Sequence, residues 1–152
     1  MEALRVDALP TERGWQFEPK WDGFRCLAFR AGPDVELKSK SGKSLTRYFP
    51  DMAEALRALR PQRFVIDGEL VIPAGKSLSF EALQLRLHPA ASRVAKLAAD
   101  TPSTLILFDM LMAPDGTVLT EETLPTRRAA LEAFFKSARG GGSRSLPTVG
   151  KA

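Results

Sequence analysis

The sequence FEPKWDGFR, at residues 17–25, decides how the rest of this chain is interpreted. Lys20 lies among apolar and aromatic neighbours, and a lysine that is partly removed from water supplies a free amine nucleophile. Gly23 lets the backbone turn or lets a ligand approach closely. Arg25 offers a planar fork for a phosphate or a sugar hydroxyl, and Asp22 can orient the lysine or help to hold a divalent cation. An exposed lysine–aspartate pair in a turn before a strand is the alternative that composition leaves open.

Residues 24–30 alternate as a β-strand, with Arg25 on the face opposite Phe24. Residues 31–34 have the composition of a turn, and residues 35–39 form a second strand pattern, so the pair predicts an antiparallel hairpin. Residues 15–18, just before the lysine, are predicted as a short strand.

Residues 64–72 form the clearest strand pattern, with apolar side chains on one face and Asp67 and Glu69 on the other. Aspartate is a poor strand former, so two central carboxylates favour a polar cleft over an ordinary half-exposed strand. Residues 104–112 are almost continuously apolar, which predicts a central strand that points Phe108 and Asp109 to opposite faces.

Helices are predicted at residues 51–60, 76–87 and 92–99, and a last helix starts at Thr126. The predicted caps are Asp51, in a capping box with Glu54, Ser79 and Thr126. The last helix begins with Arg127 and Arg128, whose charge the helix dipole disfavours at that end. Interspersed helices and hairpins predict an α+β domain, with antiparallel sheets flanked by helices around a cleft.

Composition limits the chain to one domain or part of one, with 152 residues and a net charge of +4. The positive charge suits an anionic partner such as nucleic acid. Cys26, the single cysteine, excludes a disulfide framework and is predicted to be a core residue. The absence of a long apolar run predicts no membrane span and favours a cytoplasmic location, and the single histidine, His88, is not expected to bind a metal.

Four short segments, in the same order, resemble the motifs of the ligase and capping-enzyme nucleotidyltransferases: KWDGFR at 20–25, SKSG at 39–42, DGE at 67–69 and LFD at 107–109. The sequences FEALQ at 80–84 and HP at 88–89 are similar to the adenylation domain of short bacterial ATP-dependent DNA ligases. The resemblance implies the nucleotidyltransferase fold around a nucleotide cleft. It also implies joining of a 3′-hydroxyl to a 5′-phosphate at DNA nicks through a lysine–AMP intermediate, in DNA repair and recombination.

The same resemblance implies roles for individual residues. Lys20 is expected to be the nucleophile that attacks the α-phosphate of ATP. Glu18 would accept a hydrogen bond from the adenine amino group, and Phe108 would stack on the base. Arg25 would contact the ribose or a phosphate, and Glu69 would bind the ribose or a metal ion.

Further binding roles fall on Lys40 and on a metal site. Lys40 stands in a basic run where the family usually has arginine, and it would contact the nucleotide; a solvated loop is the alternative. Asp22 and Glu69 are the expected ligands of Mg²⁺ or Mn²⁺. Nicked double-stranded DNA is the expected partner, together with other end-joining or repair proteins.

The later motifs of the family do not occur in this sequence. We therefore expect residues 1–139 to be the N-terminal part of an adenylation domain, residues 140–152 to be a flexible tail, and the OB-fold domain to be absent. This chain alone is expected not to seal a nick. The alternatives are an RNA ligase or capping-type nucleotidyltransferase, and a non-catalytic remnant that binds nucleotide or DNA.

Overall fold

A computed structural model describes residues 6–138, and a four-stranded antiparallel sheet lies at its centre. Along the chain the elements are β1 (Phe24–Ala31), β2 (Asp34–Ser39), a 3-10 helix (Thr46–Tyr48), α1 (Pro50–Arg57), β3 (Arg63–Val71), β4 (Pro73–Ala74), β5 (Ser77–Leu78), α2 (Phe80–Leu85), α3 (Ala91–Asp100), β6 (Thr104–Met112) and α4 (Leu124–Ala138). The strands of the sheet follow the order β2-β1-β3-β6, and β4 and β5 form a separate small hairpin. The predicted α+β architecture is confirmed.

The β1–β2 hairpin forms as the sequence predicts. Ala31 pairs with Asp34, and Gly32 adopts a φ of 61°, a left-handed conformation that glycine reaches without strain. The predicted strand at residues 15–18 is wrong, because the chain there is exposed and pairs with no strand of the described part.

Strand β6 lies at an edge of the sheet in the part of the chain described here, so its predicted central position is wrong. Its continuous apolar pattern has another cause, because α4 packs against it and its side chains are buried on both faces, as Leu105, Ile106 and Leu107 show. The pairing with β3 shifts register between Asp67 and Gly68, which makes β6 irregular at Phe108.

The apolar face of the sheet packs against α1 and α4. Phe64 and Ile66 of β3 are fully buried, as is Cys26 of β1, which confirms the core position of the cysteine. The Phe64 ring meets the Phe134 ring of α4 edge to face, with 4.9 Å between centroids. The opposite face of the sheet carries the polar side chains of the candidate site.

Asp51 does not cap α1, and the predicted capping box is therefore wrong. Its Oδ2 atom accepts instead from the Arg86 guanidinium at 2.8 Å and from the backbone N–H of Ser103 at 2.6 Å. Arg86 is fully buried, and a buried charge requires a charged partner more than a helix end requires a cap. This ion pair ties α1 to the end of α2 and to the start of β6.

The other helices differ from prediction mainly at their ends. Ser79 caps α2 as predicted, since its Oγ atom accepts from the Ala82 N–H at 3.1 Å. Helix α4 begins at Leu124, so Thr126 lies inside it and is not its cap. The predicted tail at 140–152 lies outside the described residues. None of the helices between residues 6 and 138 combines the length and apolar character that crossing a bilayer requires.

Gly68 provides a test of this packing, because a Cβ atom added there would lie 2.5 Å from the carbonyl oxygen of Ile106 on β6. We expect Gly68→Ala to lower the free energy of unfolding by about 1–3 kcal/mol, since two paired strands would have to separate. Urea denaturation of the variant measures this loss. Glu81→Ala, at an exposed position of α2, is the control, and equal stability of the two variants would contradict the close approach.

Candidate functional site

An ion pair between neighbouring strands organises the polar face of the sheet. Arg25 of β1 donates from Nη2 to Asp67 Oδ2 at 2.6 Å and from Nε to Asp67 Oδ1 at 3.1 Å. The side chain of Asp67 on β3 is 4% exposed, whereas that of Arg25 is 23% exposed. The two parallel bonds fix the plane of the guanidinium and leave part of it open to solvent.

The same guanidinium lies against the aromatic ring of Phe108. Arg25 Cζ is 5.3 Å from the ring centroid, within the range of a cation–π contact. Phe108 belongs to β6, so the contact crosses from β1 over β3 to the edge strand. Residues from three of the four sequence motifs thus meet on one face.

Glu69 lies on the same face, where the register places it opposite Arg25. Partial burial raises the pKa of its carboxyl above the ordinary value of 4.5, and the negative charges of Asp67 and Asp22 act in the same direction. The positive charges of Arg25 and Lys20 oppose this rise in pKa. Lys20 and Asp22 therefore lie near enough to Glu69 for their charges to affect its pKa. Glu69 itself lies on the side of the sheet that the alternation in β3 predicted.

A small pocket opens between the loop before β1 and strand β6. Its lining residues are Glu18, Pro19, Trp21, Ile106, Leu107, Phe108 and Arg128. Two residues assigned to base recognition, Glu18 and Phe108, therefore share one concave surface. Lys20, Arg25 and Glu69 are not part of this lining.

Lys40 is the predicted site residue from the second sequence motif. It follows β2, which forms the edge of the sheet opposite to β6 and Phe108. Its segment is an exposed turn in which Gly42 has a φ of 81°.

A metal site built from protein ligands alone is not present among residues 6–138, where no group of three or more His, Cys, Asp or Glu side chains could hold an ion. Asp22 and Glu69 are two nearby carboxylates. Mg²⁺ is often held by one or two carboxylates together with phosphate oxygens of a substrate, so this pair fits a metal that arrives with a nucleotide.

Sequence reasoning did not identify the contribution of α4. Arg127 Nε donates to Asp109 Oδ1 at 2.8 Å, and Arg128 Nη1 donates to Glu18 Oε1 at 2.7 Å. The hydrogen bond to the Asp109 carboxylate raises the pKa of Arg127, and the nearby charge acts in the same direction. The available signal was the pair of arginines near the start of the helix, because carboxylate partners elsewhere in the fold would offset their unfavourable interaction with the helix dipole.

Comparison with known proteins agrees with this geometry. A family model described as an ATP dependent DNA ligase domain matches residues 5–143. The chain belongs to this family. The predicted resemblance is thereby confirmed. Members of this family are enzymes, and the match favours DNA ligases over the capping and RNA-joining relatives.

Curated relatives include DNA ligase C2 of Mycolicibacterium smegmatis, which is 53% identical over 138 residues. DNA ligase C of Mycobacterium tuberculosis is 49% identical over 131 residues. These alignments cover 91% and 86% of this chain but only 38% and 36% of the two ligases. The chain thus spans just over a third of the length of these relatives.

Solved structures show the same likeness. A mycobacterial DNA ligase D complexed with ATP and MES superposes with a TM-score of 0.59 and 28% identity, over 86% of this chain and 38% of that one. The ligase domain of M. tuberculosis LigD also has a TM-score of 0.59 and 28% identity, over 88% and 41% of the two chains. The ligase nucleotidyltransferase fold predicted from the motifs is confirmed.

The Arg25–Asp67 pair is expected to contribute to stability as well as to the site. Asp67→Asn removes the charge that holds a partly buried guanidinium, so we expect the free energy of unfolding to fall by about 1–3 kcal/mol. Urea denaturation measures the change. Glu36→Gln is the matched control, because the exposed Lys38–Glu36 pair, at 3.4 Å, should contribute less than about 0.5 kcal/mol. Equal losses in the two variants would contradict a special role for the Arg25 pair.

The raised pKa of Glu69 predicts a pH dependence of stability. The folded state holds this proton more tightly than the unfolded state, whose value is near 4.5, so the contribution of Glu69 to stability falls as the pH rises through and above that value. Glu69→Gln cannot titrate. The free energy of unfolding of this variant, relative to the parent, should therefore increase between pH of about 4 and about 7. Denaturation at several pH values measures the difference, and a constant or opposite difference would contradict the burial of this carboxyl.

Proposed function

We propose that the protein acts in ATP-dependent DNA ligation, with Lys20 as the site of covalent AMP attachment. The supporting observation is the pocket between the lysine loop and β6. Glu18 and Phe108 line it, and Lys20 follows Glu18 by two residues. An aromatic face and a carboxylate on one concave surface suit a base that carries an amino group.

In the proposed reaction the side-chain nitrogen of Lys20 attacks the α-phosphorus of ATP. A nitrogen–phosphorus bond forms, the bond to the bridging oxygen breaks, and pyrophosphate leaves with that electron pair. The amine loses its proton to solvent. The AMP group then passes to the 5′-phosphate of a nick, and the 3′-hydroxyl displaces AMP to join the strand. The protein contributes chiefly by positioning the reactants and by placing charge near the phosphates.

The residues around the pocket take the roles that the family resemblance suggested. Phe108 stacks on the base, and Glu18 accepts from its exocyclic amine. The exposed part of the Arg25 guanidinium, held in place by Asp67, contacts the ribose or a phosphate. Lys40, in the exposed turn after β2, supplies positive charge for the nucleotide from that edge of the sheet.

Mg²⁺, or Mn²⁺ in its place, is the proposed metal, with Glu69 and Asp22 as the residues that would hold it. When bound it would neutralise negative charge on the phosphates. The raised pKa of Glu69 fits such a site, because a cation would favour the ionised carboxylate that burial disfavours.

We further propose nicked double-stranded DNA as the substrate, other repair proteins as partners and the cytoplasm as the location. A net charge of +4 supports an anionic partner, and the buried free thiol of Cys26 suits a reducing compartment. Residues 1–139 are assigned to the N-terminal part of an adenylation domain on the order of their motifs, and the family model that matches residues 5–143 supports a ligase domain there.

Intact-mass measurement after incubation with ATP and Mg²⁺ tests the proposal. The chain should gain one AMP, and Lys20→Ala should gain none. Lys96→Ala, which removes an exposed lysine of α3, is the control and should gain AMP like the parent. No adduct on the parent, or an adduct that persists in Lys20→Ala, would contradict the assignment. A GMP adduct formed from GTP instead would indicate capping-type chemistry.

A further inference from the structure

We propose that Arg128 is a positioning residue that makes the base pocket selective for adenine. The inference rests on the proposed function, because it assumes that Glu18 contacts the base. Arg128 lies in the first turns of α4 and is 110 residues from Glu18 in sequence, and no motif of the sequence marks it.

Arg128 joins the two sides of the pocket. Its Nη1 atom donates to Glu18 Oε1 at 2.7 Å and lies 3.5 Å from the backbone oxygen of Phe108. The two charged side chains are 11% and 24% exposed, so the pair is partly shielded from water. Gln16 Nε2 also donates to Glu18 Oε1, at 3.0 Å. Both donors thus hold the same carboxylate oxygen.

The loop that carries Glu18 needs such a contact. Residues 15–22 form no helix or strand, and most of them are exposed. By contrast, α4 is anchored to β6 by the Arg127–Asp109 pair, in which Asp109 is almost fully buried. Arg128 therefore connects a rigid element to an irregular loop and restricts where the Glu18 carboxylate can lie.

Restriction of this carboxylate has a consequence for selectivity. With Oε1 held by two donors, we assign Oε2 as the acceptor for the exocyclic amine of adenine. Guanine presents a carbonyl oxygen at the corresponding position of its ring, and that oxygen would face a carboxylate with no proton between them. A site whose acceptor is fixed to meet a hydrogen-bond donor of the ligand rejects an analogue that lacks this donor, provided that the acceptor cannot rotate away. Arg128 prevents the Glu18 carboxylate from rotating away.

Binding of α,β-methylene-ATP and α,β-methylene-GTP, which cannot release pyrophosphate, tests the proposal by calorimetry. We expect Arg128→Gln to weaken the adenine analogue by roughly 10- to 100-fold, because a displaced contact loses most of its value. The guanine analogue should bind no more weakly than to the parent. Arg128→Lys, which keeps the charge but not the fork, should have an intermediate preference. Glu132→Gln, which removes the outer partner of Arg128 at 3.9 Å, should behave as the parent.

The outcomes separate this inference from the proposed function. Parental preference in Arg128→Gln, or an equal loss for both analogues, would overturn the positioning role. Thermal melting of every variant shows whether it is folded, and Arg128→Lys provides the same comparison if Arg128→Gln is not. Glu18→Gln tests the base contact itself: unchanged preference in that variant, or no adenine preference in the parent, would overturn the assumption as well. The double variant Glu18→Gln with Arg128→Gln should have the same selectivity as Glu18→Gln alone, since the two residues act as one unit.

Discussion

The bidentate bond between Arg25 and Asp67 is the constraint on which the candidate site depends. It joins β1 to β3 on the polar face of the sheet and holds the guanidinium against the Phe108 ring of β6. A carboxylate that is 4% exposed is costly to bury, and the guanidinium compensates that cost only while the two strands keep their register. The geometry of the site and the pairing of the strands are therefore maintained by the same contact.

Charge on this face is arranged so that carboxylates and cations alternate. Asp67 forms an ion pair with Arg25. The positive charges of Arg25 and Lys20 lower the pKa of Glu69, and the negative charges of Asp67 and Asp22 raise it. Burial still raises the pKa of Glu69, so further positive charge nearby would stabilise the ionised carboxylate. A divalent cation would supply that charge, which is the physical basis for placing one beside Glu69.

Helix α4 completes the pocket through contacts that oppose its own dipole. Two arginines in its first turns are unfavourable for the isolated helix, yet each meets a carboxylate, Asp109 on β6 or Glu18 in the lysine loop. A comparable arrangement holds the opposite side of the domain, where buried Arg86 meets Asp51. In both places, tertiary ion pairs override the local preferences of a helix end.

The sequence by itself determined most of the elements, the fold class and most of the site-bearing segments. Alternation at residues 64–72 located β3 and its polar face, and the turn at residues 31–34 located the first hairpin, because these patterns reflect neighbours in the chain. Only the tertiary structure decided the edge position of β6, the loss of the Asp51 cap and the entry of Arg128 into the pocket wall. The last two features depend on charges 35 and 110 residues apart in sequence, and no local period encodes which distant partner a buried or half-buried charge will find.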